Sequence, residues 1–288
     1  MKLALFISLF LIILLFVSCT GNGIQSNKGE SGAKAEFILD KSLPDVPQSI
    51  ISYKIVQPIV TLKSVASLGA RFGFTGEAGP VDPAEIVMSN PEKKEMLQVK
   101  INSGSIVYIN DNDLFPLSPA LPNNEEAVKI ATEFLKLTGL WHPDLAANEA
   151  VVGGTSGGVT SHLLVRFTRY IDGYPVTGMG NKFGVRIGDK GKVVGFMLRY
   201  DELVQDKEVP IIDPATAFDK LKAGDGVFTL PIDCSTVRIT DVSIGYYLEN
   251  INDKQEYLTP YYVFKGECRD AKDNLIEEFT GWVDAVSS

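Results

Sequence analysis

Histidine and cysteine are scarce in this chain, with two and three copies in 288 residues. His142 and His162 stand in no H-E-x-x-H or comparable ligand spacing, so no metal site and no cofactor is expected. Lysine and arginine form no cluster and the net charge is −9, a poor match for nucleic acid or anionic lipid headgroups. No apolar run reaches the about 20 residues that a membrane-spanning helix needs. What is present is ordinary: 45% hydrophobic and 22% charged residues, the balance of a globular protein rather than a disordered one.

The longest apolar run, Leu3–Val17, follows Lys2 and suits the h-region of an export signal. Its end, Phe16-Val17-Ser18-Cys19, resembles the lipobox of prokaryotic lipoproteins. That resemblance implies cleavage before Cys19 and lipid on its sulfur, which would hold the protein in the membrane at the outer face of the cell or in the periplasm. A plain signal peptide or an uncleaved anchor is the alternative. Residues 21–34 are almost entirely Gly, Ser, Asn, Lys and Glu, a stretch that buries nothing and reads as a tether.

The remainder divides into helix signals followed by strand signals. Thr61 is a candidate N-cap before Leu62, Val65, Ala66, Gly69 and Phe72 on one helical face. Asn123 and Glu126 have capping-box-like spacing ahead of Ala127, Ile130, Ala131, Phe134 and Leu135, with Gly139 as the stop. Asp213 with Pro214 starts a third helix, and Gly224 ends it. Between the second and third, Leu163–Tyr200 reads as three strands separated by Asp172-Gly173 and by Asp189-Lys190-Gly191. After the third helix, 236–249, 257–267 and 275–286 read as strands. The expected fold is α+β, with repeated helix-plus-antiparallel-meander units on one continuous core. The expected boundaries are a signal peptide over 1–18, the lipid-bearing cysteine and tether over 19–50, a reduced first unit over 51–122, a second over 123–208 and a third over 209–288.

Asp172-Gly173-Tyr174-Pro175-Val176, Val185-Arg186-Ile187 and Asp189-Lys190-Gly191-Lys192-Val193-Val194 resemble PepSY-like and thermolysin-propeptide-like modules, whose fold is cystatin-like. The stretch Tyr257–Glu267 is similar to the last strands of extracytoplasmic regulators related to the YycH and YycI proteins. The resemblance implies an exported module that regulates a partner in the cell envelope, often a sensor or a peptidase. It carries over no catalytic residue. The expected function is therefore non-enzymatic binding of a protein partner by a membrane-tethered lipoprotein. The alternative is a peptidase inhibitor or propeptide-like chaperone acting in trans.

Three motifs touch on chemistry and each has a plainer reading. Gly154-Thr155-Ser156-Gly157-Gly158 fits the G-x-S-x-G pattern, but a strand rather than a helix follows it, so a glycine-rich hairpin loop accounts for it. Asn110-Asp111-Asn112-Asp113 lacks the central Gly and distal Glu of a calcium loop and reads as a solvated turn. His142 sits beyond a helix end, where a capping role is expected.

Two expectations concern side-chain pairing. With Cys19 lipidated, Cys234 and Cys268 are left to pair in an oxidising compartment. If the chain reverses within 250–255, they meet at the open end of that hairpin. Tyr174, Tyr246, Tyr247, Tyr261 and Tyr262 are the candidate partner surface, because strand alternation would turn one ring of each adjacent pair outward. Packing of those outward rings beneath a neighbouring unit is the competing reading.

Overall fold

The computed structural model describes residues 35–116 and 118–287. The expected signal peptide, Cys19 and the glycine- and serine-rich stretch lie outside the described residues. Strands β1 (Glu36–Leu39) and β2 (Ser49–Ile55) precede helix α1 (Leu62–Ala70). Four strands follow, β3 (Gly79–Asp82), β4 (Glu85–Asn90), β5 (Glu95–Lys100) and β6 (Ile106–Asn110), and then one helical turn, α2 (Asp111–Leu114). Helix α3 (Asn124–Leu137) leads into β7 (Leu145–Ser156), β8 (Val159–Ile171), β9 (Tyr174–Thr177), β10 (Gly184–Ile187), β11 (Val193–Leu198) and β12 (Leu203–Pro210). Helix α4 (Pro214–Ala223) is followed by β13 (Thr236–Tyr247), β14 (Tyr257–Leu258), β15 (Pro260–Arg269) and β16 (Leu275–Asp284).

The helices begin where short-range chemistry favours them. Thr61 and Ser64 form a reciprocal capping box at α1. Asn123 accepts a hydrogen bond from the Glu126 backbone N–H at 2.9 Å. Asp213 accepts from the N–H groups of Ala215 and Thr216, Pro214 occupies the first position of α4, and Gly224 closes it in the left-handed conformation at φ 82°.

The architecture departs from the expected α+β repeat. The described residues are 46% strand and 16% helix, and the meanders do not stand as separate units. Their strands join into one mixed 13-stranded sheet in the order β16-β15-β13-β9-β8-β10-β11-β6-β5-β4-β3, with β1 beside β13 and β7 beside β8. Two pairings are parallel, β1 with β13 and β9 with β13. A three-stranded sheet of β12, β2 and β14 accompanies it. Period-2 patterning tells which face of a strand is buried but not which strand lies at its edge. A lone meander keeps two open edges, and edge-to-edge joining removes them.

The expected 19–50 tether is also too long, because β1 and the start of β2 fall within it and are paired. Nor is the core one continuous body. One cluster joins α1 and α3 to the sheet through Val65, Leu97, Ala131, Leu135, Val165 and Phe196. The other gathers Ile50, Leu221, Val237, Tyr246, Phe264 and Val283 around α4 and β13–β16.

Candidate functional site

Where β2, β12 and the β8–β9 turn converge, they border an open cleft of about 220 Å³ lined by residues that include Pro47, Ile51, Tyr174, Tyr246 and the exposed Asp172 and Glu208. Asp172 and Gly173 both have positive φ, 51° and 83°, the conformation that a two-residue type I′ hairpin requires. That turn brings the Asp172 carboxylate to the hydroxyl of Tyr53, which donates to its Oδ2. Glu208 lies opposite Ile51 in the β12–β2 ladder, and its Oε1 accepts from the Ser49 hydroxyl. Tyr246 underlies the cleft, donating from its hydroxyl to the Ile51 carbonyl at 2.8 Å. Its ring meets Tyr53 and Tyr174 edge-on, with centroids 5.6 and 6.3 Å away. Burial, then the hydrogen bond to Asp172 and the Asp172 charge, push the Tyr53 hydroxyl up to about 12, so it remains a donor at any ordinary pH. Burial, followed by the neighbouring Tyr53, Asp172 and Tyr174, raises Tyr246 as well.

A second polar cluster joins the start of β7 to the end of β11. Arg169 donates from Nε to Asp144 Oδ2 at 2.8 Å and from Nη1 to the Asp201 carbonyl at 2.7 Å. Its guanidinium lies 4.0 Å from the Tyr200 ring centroid, and the Tyr200 hydroxyl donates to Asp144 at 3.1 Å. His142 is not a helix cap: its ring lies flat on Tyr200, with centroids 3.4 Å apart and planes 9° from parallel. Burial holds the His142 imidazole below its ordinary pKa. The contacts on the Asp144 carboxylate all fall on Oδ2, leaving Oδ1 buried without a hydrogen-bond partner among the described residues, and the arrangement reads as a structural clamp.

The glycine-rich motif is a hairpin. Ser156 pairs with Val159, and Gly157 and Gly158 form the turn at φ 57° and 81°. The hydroxyl within reach of a histidine belongs instead to Ser161, 3.0 Å from His162 Nδ1. Both residues are buried, Ser161 completely, so a substrate has no approach to the pair. The 110–113 stretch forms the end of β6 and α2, with Asp113 paired to Lys192. Among the described residues no group of three or more His, Cys, Asp or Glu side chains is placed to hold a metal ion.

The tyrosine surface needs correction. Tyr246, Tyr247 and Tyr262 are 1%, 2% and 0% exposed. Alternation does send the adjacent rings to opposite faces, but both faces are covered. Tyr246 and Tyr262 enter the α4 core. Tyr247 stacks on Tyr261 at 4.8 Å, contacts Trp282 edge-on, and lies against Gly178. Only Tyr174 and Tyr261 of the five keep part of their rings at the surface. Cys234 and Cys268 are joined in a disulfide that ties the segment before β13 to β15.

No family model matches the chain, and no curated protein matches it in sequence. Among solved structures it is similar to an uncharacterized protein from Eubacterium rectale ATCC 33656, with a TM-score of 0.52, 11% identity and 88% of each chain covered. At that identity the likeness concerns the fold alone.

Proposed function

We propose that this protein is an exported, lipid-anchored binding module of the cell envelope, non-enzymatic, that acts on a protein partner. The observation that carries the reading is the Cys234–Cys268 disulfide, a bond that persists in oxidising compartments outside the cytoplasm. It agrees with the export signal ending at Ser18-Cys19. The burial of the Ser161–His162 pair, the one serine–histidine contact among the described residues, favours binding over hydrolysis at that position. The surface offered to a partner moves from the buried tyrosines to the cleft beside Asp172 and Tyr174.

The test is metabolic labelling with a fatty-acid analogue, followed by crosslinking and capture from detergent-solubilised membranes. Wild-type protein should take the label and retain a crosslinked protein. The Cys19→Ser variant should remain an unlabelled, uncleaved precursor. Label on the Ser variant, or wild-type protein without a crosslinked partner, would overturn the reading.

A further inference from the structure

The cleft beside Asp172 holds two carboxylates with incomplete partners. Each has one oxygen engaged by a neutral hydroxyl, Oδ2 of Asp172 by Tyr53 and Oε1 of Glu208 by Ser49. Among the described residues, no ion pair or further hydrogen bond meets Asp172 Oδ1 or Glu208 Oε2. Elsewhere in the chain, carboxylates such as Asp144, Asp201 and Glu267 are matched by arginine. Hydroxyl donors orient a carboxylate without neutralising it, so the cleft retains negative charge.

The walls narrow the kind of cation. A hard divalent ion here would draw most of its six or more oxygens from water, since no group of three or more His, Cys, Asp or Glu side chains is placed to hold one among the described residues. Aromatic rings, in contrast, attract organic cations through their negative faces. Tyr174 presents a partly exposed ring above the Tyr246 floor, and Pro47 and Ile51 add apolar wall. That combination suits a charged head on an aliphatic stem, the form in which Lys and Arg bury their methylenes while the head reaches a polar group. At about 220 Å³ the cleft is smaller than the roughly 300–1,000 Å³ of pockets that enclose cofactors and drug-sized ligands, and its size suits one side chain.

We propose that this cleft is the receptor for a single lysine or arginine side chain presented by the partner polypeptide, with Asp172 and Glu208 receiving the cationic head and Tyr174 packing on its stem. The proposal rests on the protein-partner reading above for the source of the side chain, and on the cleft alone for its chemistry. Two acceptors contributed by separate elements favour a head with several N–H donors, which both ammonium and guanidinium provide.

The experiment is saturation-transfer difference NMR on the full-length protein in detergent. The probes are acetyl-Lys-methylamide and acetyl-Arg-methylamide, with acetyl-norleucine-methylamide as the uncharged control and cadaverine as a free amine. The lysine and arginine probes should receive saturation and compete with each other, and the norleucine control should not. Asp172→Asn and Glu208→Gln keep an acceptor for Tyr53 and Ser49, and asparagine tolerates the positive φ at 172. Each single variant should therefore melt as the wild type does and bind several-fold more weakly, and the double variant about ten-fold or more. Equal binding of the norleucine control, or unweakened binding by correctly folded variants, overturns the site. Cadaverine binding as tightly as the capped residues overturns the polypeptide source. If wild type captures no envelope protein yet binds the lysine probe, the partner reading falls and the cation site stands. If wild type and the double variant capture the same protein equally, the cation site falls and the partner reading stands.

Discussion

A Cβ placed on Gly153 would stand 2.5 Å from Cδ2 of His162 and 2.8 Å from its Nε2. The β7 backbone thus lies directly on the imidazole, with Gly154 closing over the ring from the next position. His162 Nδ1 is met by the Ser161 hydroxyl and the Leu114 carbonyl, while Nε2 has no hydrogen-bond partner among the described residues. Gly153→Ala should cost about 1–3 kcal/mol as overpacking. Gly157→Ala meets no atom within 4 Å and should cost only the strain of a positive φ, about 1 kcal/mol. Truncating the ring with His162→Ala should relieve the clash, so that Gly153→Ala costs less in that background. Strict additivity in the double-mutant cycle would show that the contact is not tight.

The same burial makes His162 a proton-sensitive point. Desolvation, reinforced by the Arg186 charge and opposed by the Leu114 carbonyl, pushes its pKa from 6.5 down to about 4. The unfolded chain therefore takes up the proton first. Stability from this group is complete above about 6.5 and falls with pH until about 4, where the folded protein is protonated too. At about 1.4 kcal/mol for each pH unit, the loss is roughly 3 kcal/mol. Denaturant unfolding followed from pH 7 to pH 4 should show this slope in the wild type and a flatter one in His162→Gln. Parallel curves for the two proteins would remove His162 from the account.

Reducing the Cys234–Cys268 bond should cost about 3–4 kcal/mol in the chain-entropy model, given a sequence separation of 34. Both sulfurs belong to buried residues, so reductant should act slowly on folded protein and rapidly after denaturant is added. Intact mass after alkylation, with and without reductant and denaturant, reads this directly. Alkylation of both cysteines in native, unreduced protein would show that the bond does not form.

The contrast between these elements shows what sequence can carry. The N-caps at Thr61, Asn123 and Asp213 are contacts over three residues or fewer, and they are legible because everything they need is adjacent in the chain. The cysteine pair was legible through a hairpin, since one turn near 250–255 places both arms. The paired arms run from Tyr246 opposite Pro260 to Thr236 opposite Arg269, with Cys268 opposite Val237. The cleft was not legible. Ser49, Asp172 and Glu208 line one cleft only because β2 pairs with β12 about 150 residues later and because the β8–β9 turn swings against Tyr53. The Asp172-Gly173 dipeptide announced a turn but gave no hint of its neighbour. Tyrosine alternation leaves open whether the outward rings face a partner or pack beneath a neighbouring unit; period-2 spacing cannot choose between them, and here Gly178 and Trp282 cover the second face.

Arg199 and Asp201 are paired at 3.0 Å with side chains only 1% and 3% exposed. Arg199 also donates to the carbonyls of Glu249 and Asn250, fastening the end of β11 to the loop after β13. Burial raises the Asp201 pKa, and the Arg199 charge and hydrogen bond, with the Arg169 charge, oppose the rise. Asp201→Ala would leave Arg199 buried with its charge uncompensated, at a cost of about 3–5 kcal/mol. Arg199→Met removes the charge and its carbonyl contacts together. Asp201, left with only the more distant Arg169 charge, should then rise further in pKa. The single variants should therefore differ in pH response: on top of the His162 loss that both share, Arg199→Met should gain stability relative to Asp201→Ala on mild acidification as Asp201 takes a proton. Chemical denaturation of both variants between pH 7 and pH 5 separates them, and identical pH responses would mean that the pair is not electrostatically coupled.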